Sequence, residues 1–141
     1  MAIANSQVNY VEELLNLRKV YMLVHPQSRL NVINKRLEQP EIGPTRLVTV
    51  ISAVEALARS LLIHRKAKTE ADLIRLYSSA KSKEADSLVV DFLKHCGHQD
   101  PALYFTGDTW PLFRHAINFR NLIVHECTYL VASSFFRVMQ K

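Results

Sequence analysis

The run Arg120-Asn121-Leu122-Ile123-Val124-His125 puts a guanidinium, an amide and an imidazole within six residues of an apolar stretch near the C-terminus. A guanidinium grips phosphate oxygens in a bidentate fork, and an imidazole moves protons near neutral pH. Together they suit the handling of a phosphodiester, and metal-free RNA cleavage shows what such a pair could do. In that reaction the 2′-OH attacks the adjacent phosphorus. A base must take its proton, and a cation must stabilise the crowded phosphorane. His125 is the candidate base, since an ordinary imidazole pKa of about 6.5 leaves part of it neutral at cellular pH. Arg120 is the candidate phosphate ligand. Asn121, one turn before His125, is placed to orient the imidazole or to bond the substrate. A 2′,3′-cyclic phosphate and a 5′-OH would be the products.

Such groups need a regular element to present them, and the flanking periodicity predicts one long helix. It starts at Thr109, read as an N-cap with Pro111 following early, and runs almost to Lys141. At about 100° per residue, Arg114, Asn118, Asn121 and His125 fall within about 60° of one another, a polar stripe bordered by Thr128 and Tyr129. Arg120 stands apart, between Phe113, Ile117, Val124, Cys127 and Val131 on the apolar side. A guanidinium there must snorkel, find a carboxylate such as Glu55 or Glu126, or face a partner surface. The supporting candidates around Arg120, Asn121 and His125 are therefore Arg114, Asn118, Glu55 and Tyr129. If Arg120 joins the stripe's chemistry, the simplest route is a packed interface between two protomers.

Upstream, apolar spacing predicts a helix over Ser6 to Val24, capped by Ser6 and ended by His25-Pro26. A short helix follows over Leu30 to Leu37. Gly43-Pro44-Thr45 opens a second long helix to about Ala67, with proline in its first turn. Thr69 opens a third, with Glu70 and Asp72 favouring its N-terminal dipole. The Ser-Ser-Ala-Lys-Ser-Lys stretch at 78–83 reads as a break. Glu84 to His95 is helical again, closed by Gly97, and a loop spans 98–109.

At 141 residues, with 48% hydrophobic residues and three glycines, the chain fits one all-α domain over residues 1–141, an up-and-down bundle of four to five helices. The formal net charge of +5 suits a polyanionic partner such as RNA without demanding one. Residues 1–7 lack a signal-peptide pattern, and no apolar run approaches a membrane span. Cys96 and Cys127 read as reduced thiols, so the expected setting is cytoplasmic, away from membranes.

Arg-Asn-x-x-x-His on the last long helix of a small all-α domain resembles the HEPN superfamily, whose signature is Arg, four to six residues, then His. The specific likeness is confined to residues 120–125. The resemblance implies a helical bundle that homodimerises, bringing both copies of the motif into one cleft. It also implies metal-independent endoribonuclease activity, without a cofactor, in toxin–antitoxin or phage-defence settings, with an antitoxin or a nucleotidyltransferase as a partner. On it, Arg120 and His125 are the catalytic pair and Asn121 their polar companion. Some such toxins are modified by the nucleotidyltransferase on a tyrosine two residues after the histidine. That position is Cys127 here and Tyr129 lies two residues on, so this control does not carry over.

A second Arg-x4-His, Arg59 to His64, lies on the second long helix, so the discriminating weight falls on Asn121 and the setting. Glu55 and Arg59 form an i, i+4 pair, and this copy reads as a coincidence on a solvated face. His95-Cys96-Gly97-His98 bunches three metal-ligand types but lacks a second cluster at ligand spacing, so no metal site is expected. No Gly-rich phosphate loop or nucleophile elbow appears. Two readings compete: the same fold without catalysis, as an RNA- or nucleotide-binding or protein-interaction module, and an unrelated helical scaffold in which Arg120 is only a buried ion pair.

Overall fold

The computed structural model describes residues 9–41 and 43–126, and every structural statement below refers to these. They form seven helices and no strand: α1 Tyr10–Leu23, α2 Pro26–Glu38, α3 Pro44–Lys66, α4 Glu70–Ala80, α5 Ala85–His95, α6 Pro101–Tyr104 and α7 Thr109–Glu126. The all-α class stands, with more and shorter helices than four or five.

Local chemistry explains the differences. The Asn9 side chain caps α1, its Oδ1 accepting the Glu12 N–H at 3.1 Å. The proposed cap Ser6 lies outside the described residues. His25-Pro26 does end α1, but it also opens α2. Pro26 sits where a missing N–H costs nothing, and His25 Nδ1 accepts the Gln27 N–H at 3.1 Å. Thr69 caps α4 as its spacing predicts, accepting from Asp72 N at 3.2 Å. The serines expected to break α4 stay helical. Ser78 and Ser79 turn their hydroxyls back onto the Ile74 and Leu76 carbonyls, at 3.0 and 2.9 Å. The break is confined to 81–84.

Beyond α5, Gly97 takes φ +91°, with Gly97 N–H bonded to Lys94 O and His98 N–H to Leu93 O. This is a Schellman closure, which needs the left-handed conformation that glycine adopts without strain. The 98–109 loop contains the single turn α6, capped by Asp100 Oδ1 on Ala102 N at 2.9 Å. In α7 the capping position falls to Asp108, whose carbonyl accepts from Leu112 N, and Thr109 is the first helical residue. The expected course of α7 beyond Glu126 lies outside the described residues.

The central element is α3, which packs against α5, α2, α7 and α4, while α1 packs on α4. One core cluster joins Met22, Ala58, Leu62, Ile63, Ala80 and Leu88. A smaller one joins Ile51 of α3 to Ala85, Ala116 and Ile117. A helix touched on several sides needs apolar residues on several sides. This explains why α3, at 23 residues, is by length and composition long and apolar enough to cross a membrane, contrary to the reading that no run approaches a span. Glu55 interrupts that apolar helix, one turn after Ile51 and one turn before Arg59. It lies between the two clusters.

Candidate functional site

Three elements converge beside Glu55. Helix α7 brings Arg120, Asn121 and His125. The turn after α4 brings Lys81, Ser82 and Lys83, and the first position before α5 brings Glu84. Together with Glu55 and Val124 they line an open cavity of about 240 Å³.

Arg120 is the hub. Its side chain is only 14% exposed. Its Nε donates to Asn121 Oδ1 at 2.9 Å, and Nη1 and Nη2 each donate to Glu55 Oε2 at 3.3 Å. Nη2 also lies 3.8 Å from Glu84 Oε2. Of the outcomes available to a guanidinium on the apolar side, it has found a carboxylate, and that carboxylate is Glu55. The long side chain also carries the head around to the cavity shared by Asn121 and His125. Arg120 therefore reaches the polar stripe within a single chain, and no second protomer is needed to bring it there.

Asn121 links both neighbours. Its Oδ1 accepts from Arg120, and its Nδ2 faces the two Glu84 oxygens at 3.4 Å each. Oriented this way the amide fixes Arg120 rather than His125, a different use from the one its spacing suggested. His125 lines the cavity and is exposed. A general base must reach its proton from such a position.

The supporting candidates divide. Glu55 is in the site, 21% exposed, and holds two arginines at once: Oε2 faces Arg120 and Oε1 faces Arg59 Nη2 at 2.7 Å. Arg114 instead points to Asp86, with Nε–Oδ2 at 3.6 Å, and stays solvent-exposed. Asn118 is exposed and does not line the cavity. Glu126 makes no pair with Arg120. Tyr129 and Cys127 lie outside the described residues. The stripe thus narrows to its last turn and a half.

The second Arg-x4-His corrects an expectation. Arg59 is not on a solvated face: its side chain is 15% exposed and donates through Nε to Ala80 O at 3.3 Å. His64 Nε2 lies 2.9 Å from Met22 O, tying α3 to the end of α1. The two residues serve separate contacts and do not meet in one cavity.

Glu84, Lys81 and Lys83 were missed from sequence. Glu84 carried a signal nonetheless. It occupies the N-cap position of α5, where Ser, Thr, Asp or Asn is preferred, and its side chain makes no capping bond. Its carboxylate is directed to Asn121 and Arg120 instead, while still lying near the positive end of α5. Lys83 is partly committed, with Nζ 2.7 Å from Asp91 Oδ2. Lys81 makes no ion pair among the described residues.

The arrangement offers phosphate-binding cations at one edge, a proton-transfer group at another, and two carboxylates that hold the arginine in place. No group of three or more metal-ligating side chains gathers here or elsewhere among the described residues. A scan against protein-family models, a search of curated proteins and a search of solved structures each return no significant match to this chain.

Proposed function

We propose that this chain is a metal-independent endoribonuclease of the HEPN type, cleaving RNA by attack of the 2′-OH in a toxin or phage-defence role. The observation that supports it most is that Arg120, Asn121 and His125 line one cavity, with Lys81 and Lys83 beside them. The lysines draw the RNA backbone in, and His125 takes the 2′-OH proton. Arg120 meets the phosphate by exchanging part of its hold on Glu55 for the non-bridging oxygens, while Asn121 keeps the guanidinium plane fixed. Glu55 and Glu84 set how much charge Arg120 offers. The reading includes a homodimer that apposes two such cavities, with the partner's His125 returning the second proton. Leu122 and Val124, apolar and exposed on the motif's own turns, suit such an interface. An antitoxin or nucleotidyltransferase partner follows from the same resemblance.

One observation favours the non-catalytic reading. Three of Arg120's donor contacts are already taken by Glu55 and Asn121, which is what a structural arginine looks like. Incubation with total RNA in EDTA separates the two readings, using wild type, His125→Ala and Arg120→Ala at matched thermal stability. Cleavage by wild type alone, ending in cyclic phosphate, is expected. Cleavage retained by both variants would end the assignment. Binding without cleavage by all three would favour the accessory module.

A further inference from the structure

A second cavity, of about 210 Å³, opens between α1, α2, α3 and α4, away from the motif. Its polar lining is Tyr21, Arg29, Arg59, Ser60 and Tyr77, and no carboxylate lines it. Two buried donors there are unfulfilled, and a third has no partner among the described residues. Ser60 Oγ is buried without a hydrogen-bond partner, on a residue only 5% exposed. A helical serine usually bonds the carbonyl one turn back, and this one does not. Arg29 Nε is likewise buried and unpartnered, and Arg29 forms no ion pair with any described carboxylate. Its Nη2 donates to Tyr21 O, and its guanidinium lies 5.8 Å from the Tyr21 ring centroid. Arg59 uses Nε and Nη2, leaving Nη1 without a partner among the described residues. Its carboxylate, Glu55, is shared with Arg120, so the lining keeps excess positive charge. Burial and the nearby Arg59 charge together hold the Arg29 guanidinium below its ordinary pKa.

Orphaned buried donors and two like charges across one cavity are each costly unless something answers them. We infer that this cavity is an anion site that takes a phosphoryl group through Arg29, Arg59 and Ser60. A dianionic tetrahedral oxyanion answers both guanidiniums and still has an oxygen for the hydroxyl; a monocarboxylate answers only one cation. The volume is below the roughly 300–1,000 Å³ of sites for drug-sized ligands, which suits a small phosphate or the phosphate end of a monoester. The Tyr21 and Tyr77 rings supply flanking walls.

The test is calorimetric titration of the full chain with inorganic phosphate, a nucleoside 5′-monophosphate and acetate, at matched ionic strength. Phosphate or the monophosphate should bind, with acetate at least tenfold weaker. Binding of both phosphates alike means that the phosphoryl group alone is read; tighter binding of the monoester means that the tyrosine walls read its remainder. Either result supports the site where the Ser60 and Arg29 variants weaken it, since the Arg120 cavity is read as binding phosphate too. Ser60→Ala should weaken phosphate binding about tenfold, the usual worth of a hydrogen bond to a charged group. It should leave the melting temperature in chloride unchanged or raised. Arg29→Gln should weaken binding more than tenfold, and Arg29→Lys, which keeps the charge, serves if the glutamine variant does not fold. No binding by wild type, acetate binding as tight as phosphate, or affinity unchanged in Ser60→Ala and in the Arg29 variant would each overturn the assignment. The outcome is independent of whether the chain cleaves RNA.

Discussion

At the scale of single residues, Glu55 decides the character of the site. An exposed ion pair is worth about 0–1 kcal/mol, and removing one partner of a buried pair costs about 3–5 kcal/mol. With Arg120 and Arg59 each about 15% exposed, Glu55→Gln should cost about 2 kcal/mol, read as a lower denaturant midpoint at unchanged slope. No loss of stability would mean that water already screens both pairs. That Arg120 could need a carboxylate was legible from sequence, with Glu55 and Glu126 both named; only the packing of α7 on α3 selects Glu55. The role of Asn121 was not legible. Its i, i+4 relation to His125 suggested a bond to the imidazole, but the adjacent Arg120 folds back across the helix and claims its oxygen first.

At the scale of elements, the turn after α4 is the part of the site that periodicity hid. Helix signals come from repeated spacing, and a four-residue connection has none. Its lysines became site residues only once α4 and α5 were set beside α7. Lys81→Gln should weaken RNA binding across sequences and shrink the salt dependence by about 0.7 in log–log slope, one phosphate contact on a single strand. A slope unchanged by the substitution would remove Lys81 from the RNA path. The start of α4 carries a different dependence. The Lys68 backbone N–H, then Arg75 and the Thr69 backbone N–H, hold the Asp72 carboxyl below its ordinary value of 3.8. A depressed carboxyl stabilises the fold above its ordinary pKa, and that contribution fades as pH falls through the folded value. Asp72→Asn should therefore flatten the acid limb of the stability profile near pH 4 and below; an unchanged limb would show that the exposed carboxyl does not couple to folding. On α5, Leu88 is fully buried against α3, and Leu88→Ala should cost about 3 kcal/mol through the cavity it leaves.

For the molecule as a whole, the helical class followed from few glycines and from 3.6-residue spacing, and helix starts such as the Thr69 cap and the first-turn Pro44 were readable in place. The number of helices was not: the short helix read over Leu30 to Leu37 begins earlier, at Pro26, and α6 lies inside the stretch read as a loop, each opening at a proline that also looks like a terminator. Which helix would be central was hidden too. The apolar residues of α3 fit a core helix and a membrane span alike, and only its packing against α2, α4, α5 and α7 distinguishes its role here. The single-chain geometry also bears on assembly. Since Arg120 and His125 line one cavity within a chain, mixed Arg120→Ala and His125→Ala protomers should stay inactive. Activity regained on mixing would show that arginine and histidine act across the interface instead.

Glu55 gives one oxygen to each of two arginines that face different cavities, and this makes the cavities thermodynamically linked. An anion drawn to Arg59 loosens its grip on Glu55, and that carboxylate then neutralises Arg120 more fully. Reciprocity requires the same coupling free energy in the opposite direction. Removing Arg120 commits Glu55 wholly to Arg59, so Arg120→Gln should weaken the Ser60-dependent part of phosphate binding, at a cavity it does not touch. Equal affinity in the variant and wild type would sever the link. A single glutamate on the central helix would thus let the supply of a small anion set the electrostatic strength of the arginine beside His125.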